Sequence, residues 1–69
     1  MPESVWRATL ARVRGEFAEM PCVRVTPEKA GALFGVKEPA INWILQRLAA
    51  DGFLTLNEQG EYVRRPHIP

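Results

Sequence analysis

A chain of 69 residues has room for one domain, and at this size folding buries only about 60% of the unfolded surface, so a single small core of modest stability is expected. Its 46% hydrophobic and 25% charged residues argue against disorder, and no apolar run approaches the roughly 20 residues that cross a bilayer. Nine Lys and Arg stand against eight Asp and Glu, a balance of +1 that lacks the basic excess of a dedicated nucleic-acid binder.

The first residues, Met1-Pro2-Glu3-Ser4, lack the basic start and apolar middle of a secretory signal, so a soluble, cytoplasmic chain with no membrane partner is expected. From Ser4 to Met20 the apolar residues Trp6, Leu10, Val13, Phe17 and Met20 recur at helical spacing, which predicts a first helix over 4–20 with Trp6 in the core. Pro2 and Ser4 supply start signals, and Pro21 cannot continue the hydrogen-bond ladder. Cys22 is the only cysteine, so no internal disulfide forms, and it is read as a small buried or half-buried apolar residue. It opens Cys22-Val23-Arg24-Val25, which alternates as a short strand does.

Thr26-Pro27-Glu28 is a helix start: Thr can accept from a free N–H, Pro suits the first helical position, and Glu favours the positive helix end. A second helix over 27–34 follows, with Leu33 assigned to the core and Gly35 placed to end it in the left-handed conformation. Val36-Lys37-Glu38 is a tight connector. A third helix over 39–51 carries Ile41, Ile44, Leu45 and Leu48 at the i, i+3, i+4, i+7 spacing, and Gly52 stops it. Strands over 53–56 and 61–64, joined by Asn57-Glu58-Gln59-Gly60, complete a hairpin, and the tail 65–69 reads as frayed. With a four-residue loop the register sets Phe53 and Tyr62 on one face and Leu54, Leu56 and Val63 on the other, a wing apolar on both sides. The predicted core is Leu10, Val13, Phe17, Leu33, Ile41, Leu45, Leu48 and Phe53.

The sequence of elements, helix, short strand, helix, turn, helix, hairpin, resembles the winged helix-turn-helix family. Residues 26–54 resemble the family's usual run without a gap, through Thr26, Leu33-Phe34-Gly35-Val36, Ile41 with Leu45, and Leu48 followed by Gly52-Phe53-Leu54. Gly60-Glu61-Tyr62-Val63 looks like the return strand of the wing, and Glu19-Met20-Pro21 before Val23-Arg24-Val25-Thr26 resembles a group of short, stand-alone bacterial winged-helix proteins. The fold class implied is mainly α with a small β-hairpin, a three-helix winged helix-turn-helix in one domain over 1–69. The architecture serves DNA reading, RNA binding and protein contacts alike.

In the family's DNA readers the third helix lies in the major groove. The resemblance therefore implies a small transcriptional regulator that binds double-stranded DNA in a sequence-dependent way, probing it with Lys37, Glu38, Pro39, Ala40, Asn42, Trp43, Gln46 and Arg47. Lys37 and Arg47 suit phosphate or guanine, Asn42 and Gln46 suit adenine edges, and Ala40 suits a thymine methyl. Glu38, Pro39 and the large indole of Trp43 depart from that pattern. Residues 26–52 hold Lys29, Lys37 and Arg47 against Glu28, Glu38 and Asp51, so phosphate attraction must come from Arg7, Arg12, Arg14 and Arg24 or from Arg64 and Arg65 beside the wing.

Trp43 lies off the apolar stripe of its helix and is expected to be at least partly exposed, as edge cover for the core or as a partner contact. A homodimer or protein partner held through Trp43 and the wing is the alternative function. Catalysis finds no support: His67 is the only histidine and sits in a Pro-flanked tail, Cys22 has no base near it in sequence, and there is no phosphate loop or metal-ligand spacing. No enzyme activity, cofactor or metal is expected.

Overall fold

The computed structural model describes residues 2–20 and 22–65. Its elements run α1 (Glu3–Glu19), β1 (Arg24–Val25), α2 (Pro27–Phe34), α3 (Ala40–Ala50), β2 (Leu54–Leu56) and β3 (Tyr62–Arg64). All three helices and both hairpin strands fall within about two residues of the bounds that periodicity and capping predict. The tail expected to fray lies outside the described residues except for Arg65, and His67 lies outside them too.

Local signals set the helix ends. Thr26 Oγ1 accepts from the Lys29 amide at 3.2 Å, and Pro27 takes the first helical position, as the Thr-Pro-Glu start requires. Gly35 closes α2 at φ 68°, and the Val36 amide reaches back to the Gly31 carbonyl at 3.0 Å. Gly52, at φ 82°, closes α3 in the same way: its own amide donates to Ala49 O and that of Phe53 to Leu48 O. Both α2 and α3 thus end in a left-handed glycine that returns backbone amides to carbonyls of the last turn.

β1 does not stand apart from the hairpin. It pairs antiparallel with β3, giving a three-stranded sheet in the order β1-β3-β2. The register is Leu54 with Arg64, Thr55 with Val63 and Leu56 with Tyr62, one residue away from the sequence expectation. Asn57 is the cause. Its side-chain oxygen accepts from the amides of Gln59 and Glu61, its own amide donates to Glu61 O, and Gly60 at φ 77° completes a three-residue turn over 58–60. Since a one-residue slip exchanges the faces of a strand, Tyr62 joins Leu54, Leu56, Val25 and Arg64 on the inner face, while Val63 joins Thr55 and Arg24 outside. The doubly apolar wing is therefore replaced by a sheet with a mixed outer face.

The core consists of Val13, Phe17, Val25, Ala30, Phe34, Val36, Ile41, Ile44, Leu45, Leu48 and Leu54. Leu10, Phe53 and Trp6 pack against it half-buried rather than inside it. Leu33 is 54% exposed, contrary to its assignment. A helix of two turns presents a narrow buried face, here Ala30 and Phe34, and Phe34 holds it by packing on Phe17 with ring centroids 5.3 Å apart. Leu33 is left about 100° round the helix from Phe34. Cys22 is also exposed, because the strand begins only at Arg24.

Candidate functional site

Ile41, Ile44, Leu45 and Leu48 turn one side of α3 into the core, so the opposite side is free by construction. It carries Trp43, Gln46 and Arg47, all exposed, with Asn42 half-buried at its margin and Lys37 exposed in the turn ahead of it. Ala40 is half-buried against the core, which leaves it little surface for a thymine methyl. Arg47 Nε lies 3.4 Å from Asp51 Oδ2 one turn on, with both side chains more than half exposed. A pair so solvated is worth little and leaves the guanidinium free to exchange partners.

Trp43 is 57% exposed, and its ring meets that of Trp6 edge-on, with centroids 6.3 Å apart and planes at 70°. It thus leans on α1 rather than on the hairpin. The sequence placed Trp6 on the stripe of α1 and Trp43 off the stripe of α3, but offered no signal that the two would meet.

The remaining cations separate by role. Arg12 donates through Nη2 to the Phe34 carbonyl at 2.9 Å, satisfying an end group of α2 and tying α1 to it. Arg7 pairs with Glu3 at 2.8 Å, one turn away on a solvated helix face. Arg24 is exposed on the outer face of the sheet. Arg64 does not extend into solvent as a free phosphate contact would: it is half-buried, and its guanidinium carbon lies 4.3 Å from the centre of the Phe53 ring. Arg14 approaches the same ring at 4.9 Å. Arg65 is exposed beside Gly52, where a Cβ would come within 3.7 Å of Nη1.

Two groups of cations result. Lys37 and Arg47 accompany the free face of α3, whereas Arg14 and Arg64 lie against the Phe53 ring and Arg65 stands beside Gly52 at its C-terminal end. Among the described residues no set of three His, Cys, Asp or Glu side chains could hold a metal ion, and no helix is long and apolar enough to cross a membrane. Comparison with family models, with curated proteins and with solved structures gives no match to this chain.

Proposed function

We propose that this chain is a small winged helix-turn-helix protein that binds double-stranded DNA through α3 and acts in transcriptional control. The observation that carries the reading is the free side of α3, where Asn42, Gln46 and Arg47 form a polar surface that the core does not use. These side chains match the hydrogen-bonding edges of the major groove, and an α-helix fits its width. The order of the elements and the β1-β3-β2 sheet support the winged-helix assignment, with β2 and β3 as the wing. Lys37 and Arg65, both exposed, supply phosphate contacts.

The test is fluorescence anisotropy of random and enriched duplexes at low and moderate salt. Binding that weakens with salt and selects a sequence from the random pool supports the reading. Absence of binding to any duplex at low salt overturns it.

A second reading, a homodimer or protein-contact module, is favoured by the exposure of Trp43 and of Leu56, at 57% and 55%, where a solvated surface would ordinarily carry polar residues. It expects sedimentation velocity at micromolar concentration to show association that Trp43→Ala or Leu56→Ser abolishes. A monomer whose ligand binding neither variant changes removes this reading.

A further inference from the structure

We infer that the groove between α1 and the end of α3 is a binding site for a small, elongated apolar molecule with one negative charge, a medium-chain carboxylic acid. Its apolar lining is Leu10, Ala11, Gly15 and Ala18 of α1, Leu48 of α3, and Phe53. Leu48 is buried and Leu10 and Phe53 are half-buried, so these three form the floor, while the small exposed residues Ala11, Gly15 and Ala18 leave one wall low. Nothing lies within 4 Å of an added Cβ at Gly15, so the space beside that wall is open.

The groove measures about 510 Å³, inside the range of roughly 300–1,000 Å³ found for small-molecule sites. From Arg7 to Ala18 its lining follows α1 for about 16 Å, or about three turns, which suits an extended chain better than a compact body. Leu48 lies about 200° round α3 from Gln46, so the groove is on a different side of the molecule from the free face of α3 and does not rest on the DNA reading.

Charge completes the description of the ligand. Arg7, Arg14 and Asp51 are the charged residues of the lining. Two of them are paired from outside it, Arg7 with Glu3 at 2.8 Å and Asp51 with Arg47 at 3.4 Å. Among the described residues Arg14 has no carboxylate partner, although Asp51 lines the same groove. Its guanidinium carbon lies 4.9 Å from the centre of the Phe53 ring, at the edge of the apolar floor. An arginine resting on a ring keeps in-plane N–H groups for a bidentate contact with a carboxylate. The charge left without a counterpart in the groove is thus a single positive one, and Asp51 disfavours a ligand with two negative charges.

Backbone-amide NMR of the full chain, titrated with hexanoate, octanoate and decanoate below their micelle-forming concentrations, tests the site. Octanol and octylammonium serve as the neutral and cationic controls. Saturable shifts centred on Ala11, Gly15, Ala18 and Phe53 are expected, with affinity rising about two- to fourfold for each added methylene. Octanoate binds about tenfold more tightly than either control, and Arg14→Gln removes that advantage. Arg14→Lys, which keeps the charge but not the fork, retains part of it. Gly15→Leu fills the groove and abolishes the shifts while melting no lower than the parent, because Leu is the better helix former. Ala18→Leu serves the same end if Gly15→Leu fails to fold.

Absence of saturable binding by any of the carboxylates overturns the inference, as does equal binding of the three eight-carbon probes. So do octanoate shifts that survive Arg14→Gln, or both leucine variants, unchanged. Sedimentation velocity decides against the other occupant: self-association of the parent that Gly15→Leu abolishes would mean that a second copy of the chain fills the groove, and would overturn the inference too.

Discussion

The same substitution, Gly→Ala, is expected to have opposite signs at two helical glycines. In a helix interior Ala is favoured over Gly by about 0.5–1 kcal/mol, because it restricts the unfolded chain and covers backbone. At Gly15 in α1 nothing lies within 4 Å of an added Cβ, so Gly15→Ala keeps that whole gain. At Gly31 in α2 the Cβ would stand 2.9 Å from the Val36 carbonyl oxygen and 3.7 Å from Ile41 Cγ2. The closer atom is backbone, and it belongs to the turn whose Val36 amide is tied to Gly31 O at 3.0 Å. That turn cannot yield without loosening the closure of α2 and the approach of α3.

Forcing extra volume into so tight a contact costs about 1–3 kcal/mol, which exceeds the helix gain and leaves Gly31→Ala destabilised by about 0.5–2 kcal/mol. For a domain of this size each kcal/mol moves the unfolding midpoint by about 4–8 °C. Thermal unfolding followed by far-UV circular dichroism should therefore show Gly15→Ala melting several degrees above the parent and Gly31→Ala melting several degrees or more below it. A Gly31→Ala chain that melts at or above the parent would refute the close crossing of α2 and the turn.

Thr26→Ala should cost about 1 kcal/mol by removing the acceptor for the Lys29 amide, and Thr26→Ser should retain most of it, as urea unfolding would show. Leu45→Ala should cost about 2–5 kcal/mol because the side chain is wholly enclosed, whereas Leu33→Ser, at a position more than half exposed, should stay within about 0.5 kcal/mol; equal effects would mean that α2 is rotated. If α3 reads DNA, Lys37→Ala should weaken binding to all duplexes and lower the salt slope by about 1, while Asn42→Ala should relax preference at one base pair by about 1–3 kcal/mol. Anisotropy titrations across salt concentrations and operator variants distinguish these, and a helix lying outside the groove would produce neither effect.

The helices were legible because their determinants are local. Thr26-Pro27-Glu28, Gly35, Gly52 and the apolar spacing of α1 and α3 act through neighbours within two turns, and each is found in its expected place. The hairpin register was not legible from its strands. It turns on the Asn57 side chain capturing two amides, which shortens the loop by one residue and exchanges Tyr62 for Val63 on the inner face. Periodicity alone also could not choose between Leu33 and Phe34, since the choice depends on the Phe17 ring arriving from α1. Gly31 carries no signal in the sequence beyond its place in the run of α2; only the return of the turn over it makes its missing side chain necessary.

For the site, the sequence identified the residue types on α3 but not the tasks of the arginines. Five of them, Arg7, Arg12, Arg14, Arg47 and Arg64, are engaged by a neighbouring carboxylate, a helix-end carbonyl or the Phe53 ring, and counting charge along the chain treats all as equal to Arg65 or Lys37. The cations accompanying the free face of α3 are consequently few, which makes base-edge contacts and a second subunit more important to any DNA complex than attraction to phosphate. The arginines gathered at Phe53 stand apart from that face. Arg14 and Arg64 meet at that ring because Gly52 turns the chain at the end of α3 and leads into β2, whose register sets Arg64 opposite Leu54. A glycine that the sequence marks only as the stop of a helix in this way positions the ring on which two cations lie.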